Sequence, residues 1–439
     1  MGAARASGGP PSPAVHQQSC AEARARGALL VRPFPDSRCQ HVLNIQPSVR
    51  REFIPVSRPF MWGNEAAYVA SAINEGWISS RGRFVDSFER MFAEAVGLKF
   101  AVAACNGTAA VHLALSTLGI GAGDEVIVPD FCMIAPVYAI LYCGARPVPV
   151  EVDETWNINP ALIEEKITDK TRAILVVHNY GHPADMVKIS EIARRRGLYL
   201  VEDAAEVLGA TAYGRQAGTF ADISSFSFYA NKVVTTGEGG MVATRSAELG
   251  ERARWKRDMC FGPDEESRYT HREIGFNYRL TNMQAAVGVA QLEHLDEATA
   301  SKVAVGQWYN AALAHVPGLT LPPAAEWARN VYWVYGVLAG PEFGVPRAEL
   351  QTLLREEGIE TRRFFTPLHR QPIVAGAGPE AEFPRSTYLS EHGLNLPSYG
   401  GMTEDVVARV ADTIVSIRRR HAGTRPARRR AESNTWGHA

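Results

Sequence analysis

Residues 198–240 read LYLVEDAAEVLGATAYGRQAGTFADISSFSFYANKVVTTGEGG. The stretch opens on LYLV, an unbroken apolar run. A strand buried on both faces of a parallel sheet reads this way, because neither face meets water. Asp203 ends that run. A second β-like run closes in SFSF, and Lys232 follows it, just ahead of a Gly-rich turn. In an open α/β sheet, ligands bind where the strands end at their C-termini.

Upstream the same grammar repeats. Short β-like runs at 100–104, 125–128, 147–150, 173–177 and 198–201 alternate with helical patterns at 84–95, 108–118, 133–143, 160–167 and 185–196. Such alternation implies βαβ units and an α/β fold with a mostly parallel sheet. Beyond Gly237 the pattern changes. Residues 246–258, 281–314, 346–357 and 403–418 read as helices, and VYWVYGVL at 331–338 as a strand. The expected organisation is a large domain over 51–300 and a smaller C-terminal α+β domain over 301–417. An N-terminal extension over 1–50 would be disordered or upstream of the true start, and a basic tail would occupy 418–439.

Composition agrees with a globular chain of 439 residues, 46% apolar and 21% charged. No run is long and apolar enough for a transmembrane helix. Residues 1–50 hold six Arg against two acids, and residues 418–439 seven Arg against one Glu. The ends therefore carry +4 and +6 of a chain whose formal net charge is −1, and the body about −11. A nucleic-acid binder of ordinary type has a basic fold, so none is expected, and no membrane partner either. The Arg-rich tail reads as solvated. Six Cys, at 20, 39, 105, 132, 143 and 260, form no CxxC pair and no zinc spacing with His. Reduced thiols and a cytoplasmic location follow as the expectation, with no metal. The opening MGAARASGGPPSPAVHQQSC lacks the apolar segment of a signal peptide.

Three features suggest chemistry. Lys232 is a positioned amine of the kind an aldehyde cofactor needs to form a Schiff base; alone, it would be a solvated lysine. Asp203, at a buried strand end, costs free energy unless it is paired, and a protonated pyridine nitrogen would suit it; alone, it would be a helix N-cap. Asn106-Gly107-Thr108 lies between a strand and a helix. There Gly permits close backbone approach and the helix N-terminus offers free N–H groups to a phosphate. Ser227 could add a hydroxyl. The glycines at 119, 121 and 123 follow a helix, so they form a turn and not a dinucleotide fingerprint.

The order phosphate turn, aspartate, lysine resembles a fold-type I pyridoxal-phosphate enzyme. The strings VEDAAE, SFSFYANK, TTGEGGMV, GFNYRLTNMQAAVG and TPLHRQP resemble the DegT/DnrJ/EryC1/StrS sugar aminotransferases, over about Ile54 to Ser416. Within that family, WISSRGRFVDSFE, NKVVTTGEGGMV and IGFNYRLTN look most like the GDP-perosamine synthases. The resemblance implies pyridoxal 5'-phosphate, glutamate as amino donor and a nucleotide-linked 4-keto-6-deoxy sugar as acceptor, GDP-4-keto-6-deoxymannose first. Lys232 would be the Schiff-base lysine and proton carrier, and Asp203 the partner of the ring nitrogen. Glu206 stands where many relatives have Gln beside the phenolic oxygen, so it is protonated or separated from that oxygen by water. Gly107, Thr108 and Ser227 would hold the phosphate. Met133 occupies the place where many relatives stack an aromatic ring. Asn277 would reach the phosphate of a neighbouring subunit, making a homodimer with shared sites. The charge-free NMQAAVGVAQL next to it would then be an intersubunit surface, or else an ordinary core helix.

Substrate contacts are expected from Trp77, Ser79 and Arg81 in an early loop, from His178 and Tyr180 after a strand, and from His369 in TPLHRQP. The bland readings are surface turns and a surface histidine. Tyr332, Trp333 and Tyr335 cluster on an expected strand; they could stack on a nucleotide base, but read first as core. Three rival functions remain. One is a sugar dehydratase, whose relatives replace the lysine with His. Another is a non-catalytic cofactor-binding regulator. The third is an aminotransferase acting at C3 or on another GDP- or dTDP-linked sugar.

Overall fold

The computed structural model describes residues 52–374, 376 and 378–422. The expectations for 1–50 and for the tail beyond 422 lie outside the described residues. Seven strands make the main sheet: β1 (Phe100–Ala104), β2 (Glu125–Pro129), β3 (Arg146–Val150), β4 (Thr171–Val177), β5 (Tyr199–Asp203), β6 (Ile223–Ser227) and β7 (Gly240–Thr244). Their order is β1-β7-β6-β5-β4-β2-β3. Strands β2 to β6 pair in parallel, and only β7 runs antiparallel to its neighbours. The apolar runs explain the burial: Ile174, Leu175, Val176 and Val201 are wholly enclosed.

Helices close both faces. Helices α1 (Glu65–Asn74) and α2 (Arg83–Val96) precede the sheet, and α3 (Gly107–Thr117), α4 (Ala135–Tyr142), α5 (Met186–Arg196) and α6 (Ala247–Arg257) alternate with its strands. Val102, Val128, Leu175 and Val201 pack against α3, α4 and α6 on one face. Ile127, Ile174 and Leu200 meet α5 on the other. There Phe88, Phe92, Phe226 and Phe228 also join α2 to α7 (Asn282–Leu292).

The single helix expected over 281–314 is two, α7 and α8 (Leu295–Leu313). Tertiary contacts make the corner. Glu293 accepts hydrogen bonds from Asn64 Nδ2 at 2.8 Å and Tyr68 OH at 2.7 Å, and the His294 ring stacks on Trp62. Helix α7 is buried within its own chain. It packs on α1 and α2, and a Cβ at Gly288 would lie 2.5 Å from the Phe88 ring. The charge-free stretch is thus an ordinary core helix, not the intersubunit surface its composition suggested.

A second sheet comes from β8 (Leu319–Thr320), β9 (Tyr335–Ala339), β10 (Arg362–Arg363) and β11 (Gly393–Leu396), ordered β8-β9-β11-β10 and antiparallel throughout. Helices α9 (Arg347–Glu356) and α10 (Glu404–Ala422) pack on it with α8. Strand β9 starts at Tyr335, later than expected, because Tyr332 takes a left-handed φ of 50°. Helix α10 continues past the expected end at 418.

Candidate active site

Strand β5 ends at Asp203, beside Ser225 in the parallel register, and β6 runs on to Ser227. The turns beyond them border a cavity of about 680 Å³ lined by Gly107, Thr108, Asp203, Glu206, Ser227 and Lys232. Met133 and Tyr180 line it as well.

The β1–α3 turn forms a cradle. Asn106 caps α3, its Oδ1 accepting from Ala109 N–H at 2.8 Å. A Cβ at Gly107 would lie 2.8 Å from the Ser227 Cβ, and one at Gly240 would lie 2.3 Å from the Asn106 carbonyl oxygen. Only glycine lets these segments approach this closely. The free N–H groups of the first helical turn, the Thr108 and Ser227 hydroxyls and the absence of bulk suit a phosphate.

Asp203 is buried. Its Oδ1 accepts from Ala205 N–H at 3.1 Å. Burial pushes its carboxyl above the ordinary range, while Ala205 N–H, Lys232 and His178 draw it back. A cation placed against it would relieve that cost. Glu206 Oε2 accepts from Tyr180 N–H at 2.8 Å. Burial pushes its carboxyl up to about 7, against the pull of Lys232 and with the help of Asp203. Lys232 sits in the loop after β6, its backbone N–H donating to the Tyr229 carbonyl at 2.9 Å. Burial lowers its amine, and Glu206 and Asp203 raise it.

Other expected site residues lie elsewhere. His178 is fully buried behind the sheet edge. Ala184 N–H donates to its Nδ1 at 3.0 Å, which leaves Nε2 to donate to Glu202 Oε1 at 3.1 Å. It holds the interior together and does not line the cavity. Tyr180 does, because its φ of 55° turns the chain after the strand. His369 Nδ1 lies 2.7 Å from Asp130 Oδ2, and its ring stacks on Phe383, away from the cavity. Trp77, Ser79 and Arg81 form an exposed turn outside the cavity lining; Asn282 Nδ2 donates to the Trp77 carbonyl at 2.7 Å. Asn277 is exposed and lies outside its own chain's cavity.

The cavity also holds Tyr229, Glu238, Arg362 and Arg363, which no sequence pattern singled out, and Trp333. Tyr229 and Glu238 flank Lys232 in the opening stretch, so proximity was their signal. Trp333 read as core, and β10 is too short to register as a strand. Among the described residues, no group of three or more His, Cys, Asp or Glu side chains could hold a metal ion. No helix among them is long and apolar enough to cross a membrane.

The DegT/DnrJ/EryC1/StrS aminotransferase family model matches residues 61–415. The GDP-perosamine synthase of Caulobacter vibrioides is 44% identical over 359 residues, covering 81% of this chain and 96% of that protein. The GDP-perosamine synthase of Vibrio cholerae is 40% identical, covering 82% and 98%. A dTDP-3-amino-3,4,6-trideoxy-alpha-D-glucose transaminase of Streptomyces venezuelae is 40% identical over 337 residues, 76% of this chain and 86% of that one. Among solved structures, S. venezuelae DesV in complex with a ketimine intermediate superposes with a TM-score of 0.76 at 36% identity, covering 83% of this chain and 99% of that one.

Proposed function

The chain belongs to the DegT/DnrJ/EryC1/StrS aminotransferase family, and from that premise we propose that it transfers an amino group from glutamate to GDP-4-keto-6-deoxymannose, giving GDP-perosamine. One observation carries the chemistry: Lys232, the buried Asp203 and the Gly107–Ser227 cradle line a single cavity. Those residues fit pyridoxal 5'-phosphate. The cradle that a Cβ would fill takes the phosphate, Asp203 awaits a cationic partner, and Lys232 supplies the amine.

When bound, the cofactor supplies an aldehyde that accepts the amino group and a cationic ring that withdraws electrons. Asp203 would hold the proton on the ring nitrogen. Glu206, pushed up to about 7, can carry a proton beside the phenolic oxygen instead of opposing it with a second negative charge. Lys232 Nζ would anchor the cofactor, take the proton from the donor's α-carbon, and return one to the sugar carbon in the second half of the cycle. Gly107, Thr108 and Ser227 would hold the phosphate while Lys232 moves. Met133 packs its thioether at the rim. The substrate's sugar and nucleotide would extend past Tyr180, Arg362 and Arg363.

Two further readings accompany this one. A homodimer with shared sites is supported by Asn277, which is exposed and absent from its own cavity. A reducing, cytoplasmic location is supported by free Cys105, Cys132, Cys143 and Cys260. A dTDP-linked acceptor aminated at C3 is the alternative that the S. venezuelae relative favours.

The deciding experiment incubates the purified protein with glutamate and a panel of GDP- and dTDP-linked keto sugars, then identifies products by mass and NMR. A 4-amino GDP sugar supports the proposal. A dTDP or C3 product transfers it to the alternative, and no amine product from any acceptor overturns it.

A further inference from the structure

Besides the pull of Glu206 and Asp203, the Lys232 amine has an aromatic neighbour. Its Nζ lies 3.5 Å from the centroid of the Trp333 indole. An ammonium over an indole face is held by the ring's electron-rich centre, most strongly where water is excluded. Trp333 is buried, and it is fixed in place from two sides. Its Nε1–H donates to the carbonyl of Asn231 at 2.8 Å, the residue next to the lysine. Its ring lies parallel to that of Tyr180, whose backbone N–H holds Glu206. The loop that carries the lysine therefore grips the ring over which the lysine lies. The left-handed Tyr332 just before it sets the direction of the indole.

We infer that Trp333 is a positioning residue for the proposed reaction, a platform on which the Lys232 amine rests whenever it is not covalently engaged. The inference rests on the aminotransferase reading for its purpose, but its geometry does not. A lysine that must leave its bond and then move protons needs a place to wait within reach. A carboxylate would bind the amine as an ion pair and hold it protonated. An indole face binds it more weakly, and the amine can leave. Asp203 and Glu206 approach from the β5 side, while Arg362, Arg363 and Glu238 line the same cavity. The indole is thus one of several influences on the amine, and the test must isolate it.

The test uses the full chain freed of cofactor and competitive labelling of Lys232 by acetic anhydride, read by mass spectrometry of its peptide across pH 6–11. Trp333→Leu removes the face. It should move the labelling midpoint of Lys232 down by roughly half to one and a half pH units, because the ammonium loses its support. Trp333→Phe keeps a face and should restore most of the midpoint. A purely structural role predicts the opposite sign: a smaller side chain admits water, relieves the burial that depresses the amine, and moves the midpoint up. An upward or absent shift in Trp333→Leu, or equal shifts in both variants, overturns the platform. A downward shift in a protein that transaminates no acceptor would leave the platform standing and refute the functional reading alone.

Discussion

At the scale of single residues, two carboxylates three positions apart take different parts. Asp203 ends a buried strand and needs a cation. Asp203→Asn should retain some cofactor but lose most turnover, because an amide cannot hold the ring proton as a full charge does. A charged hydrogen bond of this kind in a dry site is worth roughly 2–4 kcal/mol, or about two orders of magnitude in rate. Near-normal turnover with a correctly bound ring would refute the role. Glu206 is also raised by burial, to about 7, but it has no cationic ring nitrogen to answer. In the cofactor-free protein it holds its proton up to about 7, whereas the unfolded chain releases it near 4.5. The native state binds more protons in that window, so stability falls as pH rises from 4.5 to about 7 and is level beyond. At roughly 1.4 kcal/mol per unit over that window, the loss is at most about 3.5 kcal/mol. Glu206→Gln should flatten that part of the curve, as followed by denaturant unfolding at each pH. An equally steep variant would sink the assignment.

At the scale of elements, what was legible depended on whether a pattern is local. The parallel strands were legible because both faces are buried and the sequence shows it directly, as in LYLV and ILVV. The Asp203 and Lys232 strand ends were legible for the same reason. The break between α7 and α8 was not, because Glu293 and His294 are turned by Asn64, Tyr68 and Trp62, more than two hundred residues away in sequence. His178 and Tyr180 are two positions apart after one strand, and one positive φ separates interior from cavity. Nothing in the letters distinguishes them. Helix α8 carries another such surprise. Lys302 is buried, and its Nζ donates to the Ser398 carbonyl at 2.6 Å. Burial lowers its amine to about 7, from an ordinary 10.5. Between those values the unfolded chain binds the extra proton, so wild-type stability rises with pH from about 7 to 10.5. Lys302→Met loses one hydrogen bond but also the buried charge. Its stability relative to wild type should therefore be greatest below pH 7 and shrink by a few kcal/mol towards pH 10. A difference independent of pH would show that the amine is not buried in solution.

At the scale of the whole molecule, one face is left unfinished by the chain itself. Tyr142 is 61% exposed, and Tyr269 and Ile274 on the segment leading to Asn277 are 76% and 81% exposed. His112 contacts both Tyr142 and Phe276, so the helix α4 and the Asn277 segment share this surface. An apolar surface of this kind next to a polar residue with no place in its own cavity is what a partner subunit would cover. A shared site makes a test possible that a monomer cannot pass. Asn277→Asp would set a negative charge beside the partner's phosphate and weaken its cofactor binding, while Lys232→Ala removes the amine from its own site. Each homodimer should be nearly inactive. In a verified heterodimer both lesions fall in one site, and the other combines an intact Lys232 with an intact Asn277. Activity should then return to about half of wild type per dimer. If sedimentation finds an active monomer, or if verified heterodimers recover nothing, each site is built from one chain and the exposed face needs another explanation.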